Sequence, residues 1–179
     1  MAKNLSKRME RRLRNPIEYG TITTENEKKR GTDMEPVAVK LLRPGAKKPV
    51  YGTPYAAGAD LCACLEEPVT LLPGETRMIP IGIAMEIPVG YAGLVYARSG
   101  LASKRGLAPA NKVGVIDSDY RGEFFVPLHN HSAEPQTVEP GERIAQMILT
   151  PYLTAEFVET ETLSETGRGE KGFGSTGSR

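Results

Sequence analysis

From residue 37 onward the chain is cut into short apolar or alternating runs: VAVKLL, YAAGADLCACL, VTLLPGETRMIPIGIAMEIP and YAGLVYA. Turn-forming residues break them every few positions, and runs this short suit strands rather than helices. Nineteen glycines and fourteen prolines, scattered rather than clustered, supply the punctuation. Leu72-Pro73-Gly74-Glu75 and Glu139-Pro140-Gly141-Glu142 each place Pro and then Gly at the centre of a turn, where Gly provides the positive φ of a type II geometry. Residues 123–130 and 143–149 read as strands, and 155–159 (AEFVE) as a last short one. The expectation is an all-β domain of about eight to eleven strands, a sandwich or jelly roll. Only Ser99–Arg105 looks helical, with Ser99 placed as its cap.

At 179 residues there is room for one domain with tails. Residues 1–33 hold nine basic and five acidic groups. They read first as a disordered, solvated extension, although Leu5, Met9 and Leu13 share a helical spacing; the alternative is a contact with a polyanion such as nucleic acid. The β domain is expected over 34–160, and 161–179, polar and rich in glycine, as a flexible C-terminal arm. No run is long and apolar enough for a membrane span, and no signal-peptide core follows the basic start, so a soluble, cytoplasmic protein is expected. Cys62 and Cys64 stand two apart, poor geometry for a mutual disulfide and too few ligands for structural zinc.

The stretch 96–130 carries most of the chemistry. Arg98-Ser99-Gly100 offers a planar cation, a hydroxyl and an open backbone, which suit phosphate oxygens; a solvated strand-end arginine is the plainer reading. Asp117 and Asp119 flank a turn with Tyr120, so one carboxylate can face a pocket as a general base while the other bonds its own backbone. Two turn-forming aspartates and a core tyrosine are the alternative. His129 and His131 form an HxH pair without an evident third ligand, and read as turn histidines. Gly167 and Gly172 have P-loop spacing, but Phe173 stands where that motif requires Lys.

Taken in order, five stretches resemble the motifs of the trimeric deoxyuridine triphosphate nucleotidohydrolases, the dUTPases. They are AGADL from Ala57, RSGLA from Arg98, GVIDSDYRG from Gly114, GERIAQ from Gly141 and RGEKGFGSTG from Arg168, within a match over 37–177. Lys171 departs from the glycine usual there. The resemblance implies a jelly-roll-like (β-clip) domain in a homotrimer whose active sites combine three chains. It also implies hydrolysis of dUTP to dUMP and pyrophosphate, which keeps uracil out of DNA and supplies dUMP for thymidylate synthesis. Position by position, it makes Asp117 the residue that activates water, with Gln146 as a second catalytic residue that also holds phosphate. Arg98, Ser99 and Gly100 bind the phosphates; Asn111 and the hairpin through Gly114, Val115 and Ile116 read uracil; Tyr120 packs on deoxyribose. Arg168, Phe173, Gly174, Ser175 and Thr176 close over the nucleotide, and Asp60 reaches Mg2+ through water.

Two rivals share the fold. A dCTP deaminase needs a catalytic Glu on the strand leaving the central hairpin, and Pro127 occupies that place. A non-catalytic nucleotide sensor or partner-binding protein differs in class, since fold alone never fixes function.

Overall fold

The computed structural model describes residues 36–170. The chain divides into two units, Met1–Val37 and Ala38–Arg179. The basic extension and Lys171, Phe173, Gly174, Ser175 and Thr176 lie outside the described residues.

Twelve strands and one short helix are present among the described residues. In order they are β1 (Ala38–Leu41), β2 (Val50–Tyr51), β3 (Ala59–Cys62), β4 (Val69–Leu71), β5 (Thr76–Pro80), β6 (Ile83–Glu86), β7 (Tyr91–Ala97), α1 (Ser99–Arg105), β8 (Leu107–Pro109), β9 (Gly114–Ile116), β10 (Phe125–Asn130), β11 (Gln136–Val138) and β12 (Arg143–Pro151). The all-β, jelly-roll-like expectation holds. The count exceeds the expected range because the long run 69–88 breaks into three strands, at Pro73-Gly74 and again at Gly82, whose φ is +73°. The expected turn glycines behave as such, with φ of +75° at both Gly74 and Gly141.

Every strand pair is antiparallel. The principal sheet runs β2-β3-β12-β7-β9; smaller ladders join β5-β10-β8, β1-β6 and β11-β4. Along β3, Ala59 and Leu61 are buried while Asp60 and Cys62 sit on the other face, the period-two alternation of a one-sided sheet. The core between the sheets is aliphatic, with Leu61, Leu71, Ile79, Ile81, Ile83, Leu107, Leu128 and Ile144 almost fully buried. Each such side chain contributes about 1.5–3 kcal/mol of burial.

The one buried polar side chain among the described residues is Asn130. Its amide donates to the Leu71 carbonyl (3.0 Å) and the Glu134 carbonyl (2.8 Å), and its oxygen accepts from the Ser132 N–H (2.9 Å) and Ser132 hydroxyl (2.7 Å). All its hydrogen-bonding capacity is met, as burial demands. Residues 155–159 are not a strand: Phe157 is 96% exposed, and the segment has no ladder partner among the described residues. Alternation alone cannot supply the second strand that a ladder needs.

Candidate active site

Register in the principal sheet places three of the expected residues, or their neighbours, side by side. Gln146 on β12 lies opposite Asp60 on β3 and opposite Tyr96 on β7, so all three side chains rise from the same face. Arg143 joins them through an irregularity. The register shifts between Arg143 and Ala145, leaving Ile144 and Ala145 as consecutive fully buried residues. Without that bulge Arg143 and Gln146, three apart, would point to opposite faces; with it Arg143 pairs Cys62, on the face of Asp60.

Asp60 is the anchor of this group. Its Oδ1 accepts from Arg98 Nε at 2.7 Å and its Oδ2 from Arg143 Nη1 at 3.0 Å, with the carboxylate side chain only 12% exposed. Arg98 Nη1 also donates to the Arg143 carbonyl at 3.1 Å. These bonds fix the guanidinium at the junction of β7 and α1. Ser99 does not cap the helix as expected. The cap position falls on Arg98, in extended conformation (φ −87°, ψ 128°), and no side chain bonds the first turn; Ser99 is the first helical residue, with Gly100 exposed beside it.

The far end of α1 is held as firmly. Gly106 ends it at φ +67°, and a Cβ there would lie 2.9 Å from the Ser132 nitrogen. Arg105 donates to Glu142 Oε1 (2.5 Å), to Gln136 Oε1 (3.1 Å) and to the Thr137 carbonyl. The helix is thus tied to the start of β12 at both ends, a role of Arg105 and Arg143 that the sequence alone does not reveal.

Gln146 Nε2 donates to the Ala97 carbonyl at 2.9 Å, steadying the strand end that presents Arg98. Its approach requires Gly58, where an added Cβ would meet Gln146 Oε1 at 2.7 Å. Together Ala56, Ala57, Gly58, Tyr96, Ala97, Lys112, Gln146 and Ile148 line an open cleft of about 640 Å³. Lys112 enters it from the β8–β9 turn with φ +64°, next to the exposed Asn111.

The acidic hairpin is elsewhere. β9 pairs β7 with Gly114 opposite Val95 and Ile116 opposite Gly93, so the chain moves away from Arg98 as it approaches Asp117. Five residue steps separate Gly93 from Arg98, roughly 17 Å at about 3.4 Å each. Asp117 is exposed, and its carbonyl accepts from the Tyr120 N–H at 3.2 Å. Tyr120 is 45% exposed, stacks on Phe124 with centroids 6.1 Å apart, and donates its hydroxyl to the Glu123 carbonyl at 3.0 Å. It is neither a core residue nor free to swing. One chain therefore unites Asp60, Arg98, Arg143 and Gln146, brings Lys112, the neighbour of Asn111, to the edge of the same cleft, and carries the strand from Gly114 through Val115 and Ile116 away from Arg98 toward Asp117 and Tyr120. Arg168 is exposed in the strandless segment that follows β12.

No group of three or more His, Cys, Asp or Glu residues that could hold a metal occurs among the described residues. His129 and His131 stack edge to face at 4.3 Å, and His129 Nδ1 bonds the Thr76 hydroxyl at 2.7 Å. Burial, with the neighbouring His129 and Lys112 charges behind it, lowers the His131 pKa. Cys62 and Cys64 are both free thiols, and burial pushes the Cys62 thiol up.

The dUTPase family model matches residues 45–177. Among curated relatives, a deoxyuridine 5'-triphosphate nucleotidohydrolase of Desulfitobacterium hafniense is 55% identical over 132 residues, 73% of this chain and 87% of that protein. One from Anaeromyxobacter sp. is 51% identical over 147 residues, 79% of this chain and 99% of that protein. Among solved structures, the Staphylococcus bacteriophage 80alpha dUTPase with dUPNHPP superimposes with a TM-score of 0.70 at 32% identity, covering 80% of this chain and 99% of that one. A variant dUTPase from phage phi11 of S. aureus, described as coordinating a structural Mg(II) ion, gives 0.64 at 27% identity, covering 72% and 98%. These similarities lend no support to the deaminase alternative, and Pro127, mid-strand opposite Met78, has no ionisable group for proton transfer.

Proposed function

The chain belongs to the dUTPase family, and from that premise we propose that it hydrolyses dUTP to dUMP and pyrophosphate by attack of water on the α-phosphorus, in homotrimers whose sites draw on more than one chain. The sheet register carries the second half of this reading. A base at Asp117 and a phosphate grip at Arg98, roughly 17 Å apart along β7, cannot serve one phosphorus atom from a single chain. A neighbouring copy supplies the missing half.

Within such a site Arg98, held by Asp60, presents its free guanidinium edge to phosphate oxygens, helped by Ser99 and the open backbone of Gly100. Gln146 fixes the Ala97 carbonyl and adds a polar contact in the same cleft. Asp117 of another copy takes the proton from the attacking water. Asn111 and the backbone of Gly114, Val115 and Ile116 meet the uracil edge, and the exposed ring face of Tyr120 lies against the deoxyribose. Arg168, Phe173, Gly174, Ser175 and Thr176 close over base and phosphates and exclude water.

The donor set fits Mg2+ only in part: Asp60 is a single carboxylate with both oxygens already on arginines, so it suits contact through water while substrate phosphates supply the inner ligands. When bound there, the ion neutralises triphosphate charge.

Two measurements test this reading. Pyrophosphate release with Mg2+ across dUTP, dTTP, dCTP and UTP should be selective for dUTP; equal release from all four rejects the substrate assignment. Mixing inactive Asp117→Asn and Arg98→Ala proteins, with time for subunit exchange, should restore part of the activity. No recovery would place each site within one chain.

A further inference from the structure

The turn 117–122 is held mostly by its own bonds. The Tyr120 N–H reaches the Asp117 carbonyl, and Arg121 donates to the carbonyls of Ser118 (2.7 Å) and Tyr120 (3.1 Å). Arg121 also approaches Glu86 at 3.5 Å, but both side chains are at least half exposed, so that pair holds little. What aims the Tyr120 ring is its hydroxyl bond to the Glu123 carbonyl. Gly122 lets the ring fold back that far: a Cβ there would lie 2.4 Å from the Tyr120 oxygen.

Glu123 is itself gripped from a distant part of the chain. Arg43 makes a fork onto its carboxylate, Nε to Oε1 at 2.5 Å and Nη2 to Oε2 at 2.8 Å, and the Glu123 side chain is 17% exposed. Arg43 stands on a rigid corner. The preceding residue, Leu42, bonds the Gly82 carbonyl at 2.8 Å, and the Arg43 carbonyl closes a turn to Ala46 at 3.2 Å around Gly45, φ +78°. On the far side of Glu123, the Phe124 N–H bonds the Ile83 carbonyl at 2.9 Å. The residue whose carbonyl receives the tyrosine hydroxyl is therefore fixed on both sides, by a two-point ion pair and by the ladder that follows.

We propose that Arg43 and Glu123 are positioning residues for substrate selection: their forked ion pair sets the place of the Tyr120 ring, and so the space denied to a ribose 2′-hydroxyl. This rests on the reading that Tyr120 packs against the sugar. A forked arginine–carboxylate pair has the geometric specificity for such a task, whereas a lysine in place of Arg43 keeps the charge and loses the second bond.

The test is the ratio of kcat/KM for dUTP to that for UTP in the full chain. Arg43→Ala and Glu123→Gln should each lower the ratio by about tenfold, within the range that small changes in pocket shape command, chiefly by admitting UTP. Arg43→Lys should retain part of it. In a Tyr120→Phe background, which lacks the hydroxyl, Arg43→Ala should lower the ratio no further. A merely structural contribution of Arg43 would act equally in both backgrounds, and that result overturns the proposal. An unchanged ratio in Arg43→Ala also overturns it. Tyr120→Ala separates the two layers: if it leaves the ratio intact, the sugar reading fails and the clamp with it; if it collapses the ratio while Arg43→Ala does not, only the clamp fails.

Discussion

Asp60→Ala tests whether the phosphate grip is built by the protein or by a metal. The substitution removes two charge-assisted hydrogen bonds, to Arg98 Nε at 2.7 Å and Arg143 Nη1 at 3.0 Å. They are unequal. Arg143 has a side chain 57% exposed and is rehydrated when released, so its share is that of a surface pair, under about 1 kcal/mol. Arg98 is 27% exposed against a carboxylate 12% exposed, and a hydrogen bond to a charged group in such a setting contributes about 1.5–3 kcal/mol. The variant should lose about 2 kcal/mol of stability in denaturant titration, a loss not reproduced by Arg143→Ala. If half to all of that sum had served to hold Arg98 toward phosphate, KM for dUTP rises roughly 5- to 30-fold. Asp60→Asn, which keeps one acceptor for Arg98, should fall between wild type and Asp60→Ala in both assays. Measuring KM across a series of Mg2+ concentrations decides the cause: if excess Mg2+ brings Asp60→Ala back to the wild-type KM, Asp60 works by attracting the ion and the anchoring argument is wrong.

Asp117→Asn should lower kcat by about 10²- to 10⁴-fold with binding of a non-hydrolysable dUTP analogue largely kept, and an unaltered kcat would remove it from the mechanism. Gly58→Ala puts a methyl 2.7 Å from Gln146 Oε1 and 3.2 Å from its Cβ; moving that side chain breaks its bond to the Ala97 carbonyl and should cost about 1–3 kcal/mol on overpacking, read by thermal unfolding together with reduced kcat/KM. The hydrogen bond from Arg43 holds the Glu123 carboxyl below the usual range, against some opposing desolvation. Its folded pKa lies under its unfolded value of about 4.3, so the pair stabilises above that value and the gain is lost as pH falls through the folded pKa. Stability measured from pH 6 downward should therefore decline less steeply in Arg43→Ala than in wild type, and parallel declines would show that the pair carries no such linkage.

Much of the fold was legible because its causes are local. A positive φ at Gly74 and Gly141 is a property of glycine in a Pro-Gly turn, and alternation along β3 needs only its own residues. What escaped the sequence depends on partners elsewhere in the chain. Ser99 has the right chemistry for a cap, yet the cap position went to Arg98, whose side chain is drawn to Asp60, 38 residues earlier. Arg143 belongs to the site only because the β3–β12 register slips beside it. Arg43 and Glu123 are 80 residues apart and neither lies in a recognisable motif position together.

The segment 155–159 makes the converse point. Its residue types suit a strand, yet it pairs with no strand among the described residues. The site shows the same limit on a larger scale. Residues 96–130 are continuous and read as one unit, but β7 and β9 run antiparallel, so the guanidinium of Arg98 and the carboxylate of Asp117 leave the sheet at opposite ends. Sequence proximity has here produced spatial separation. On the proposed reading, such a stretch completes two different centres, each with the other half taken from a neighbouring copy. That is why mixing two singly disabled chains, each intact where the other is broken, is a sharper test of this enzyme than any single substitution.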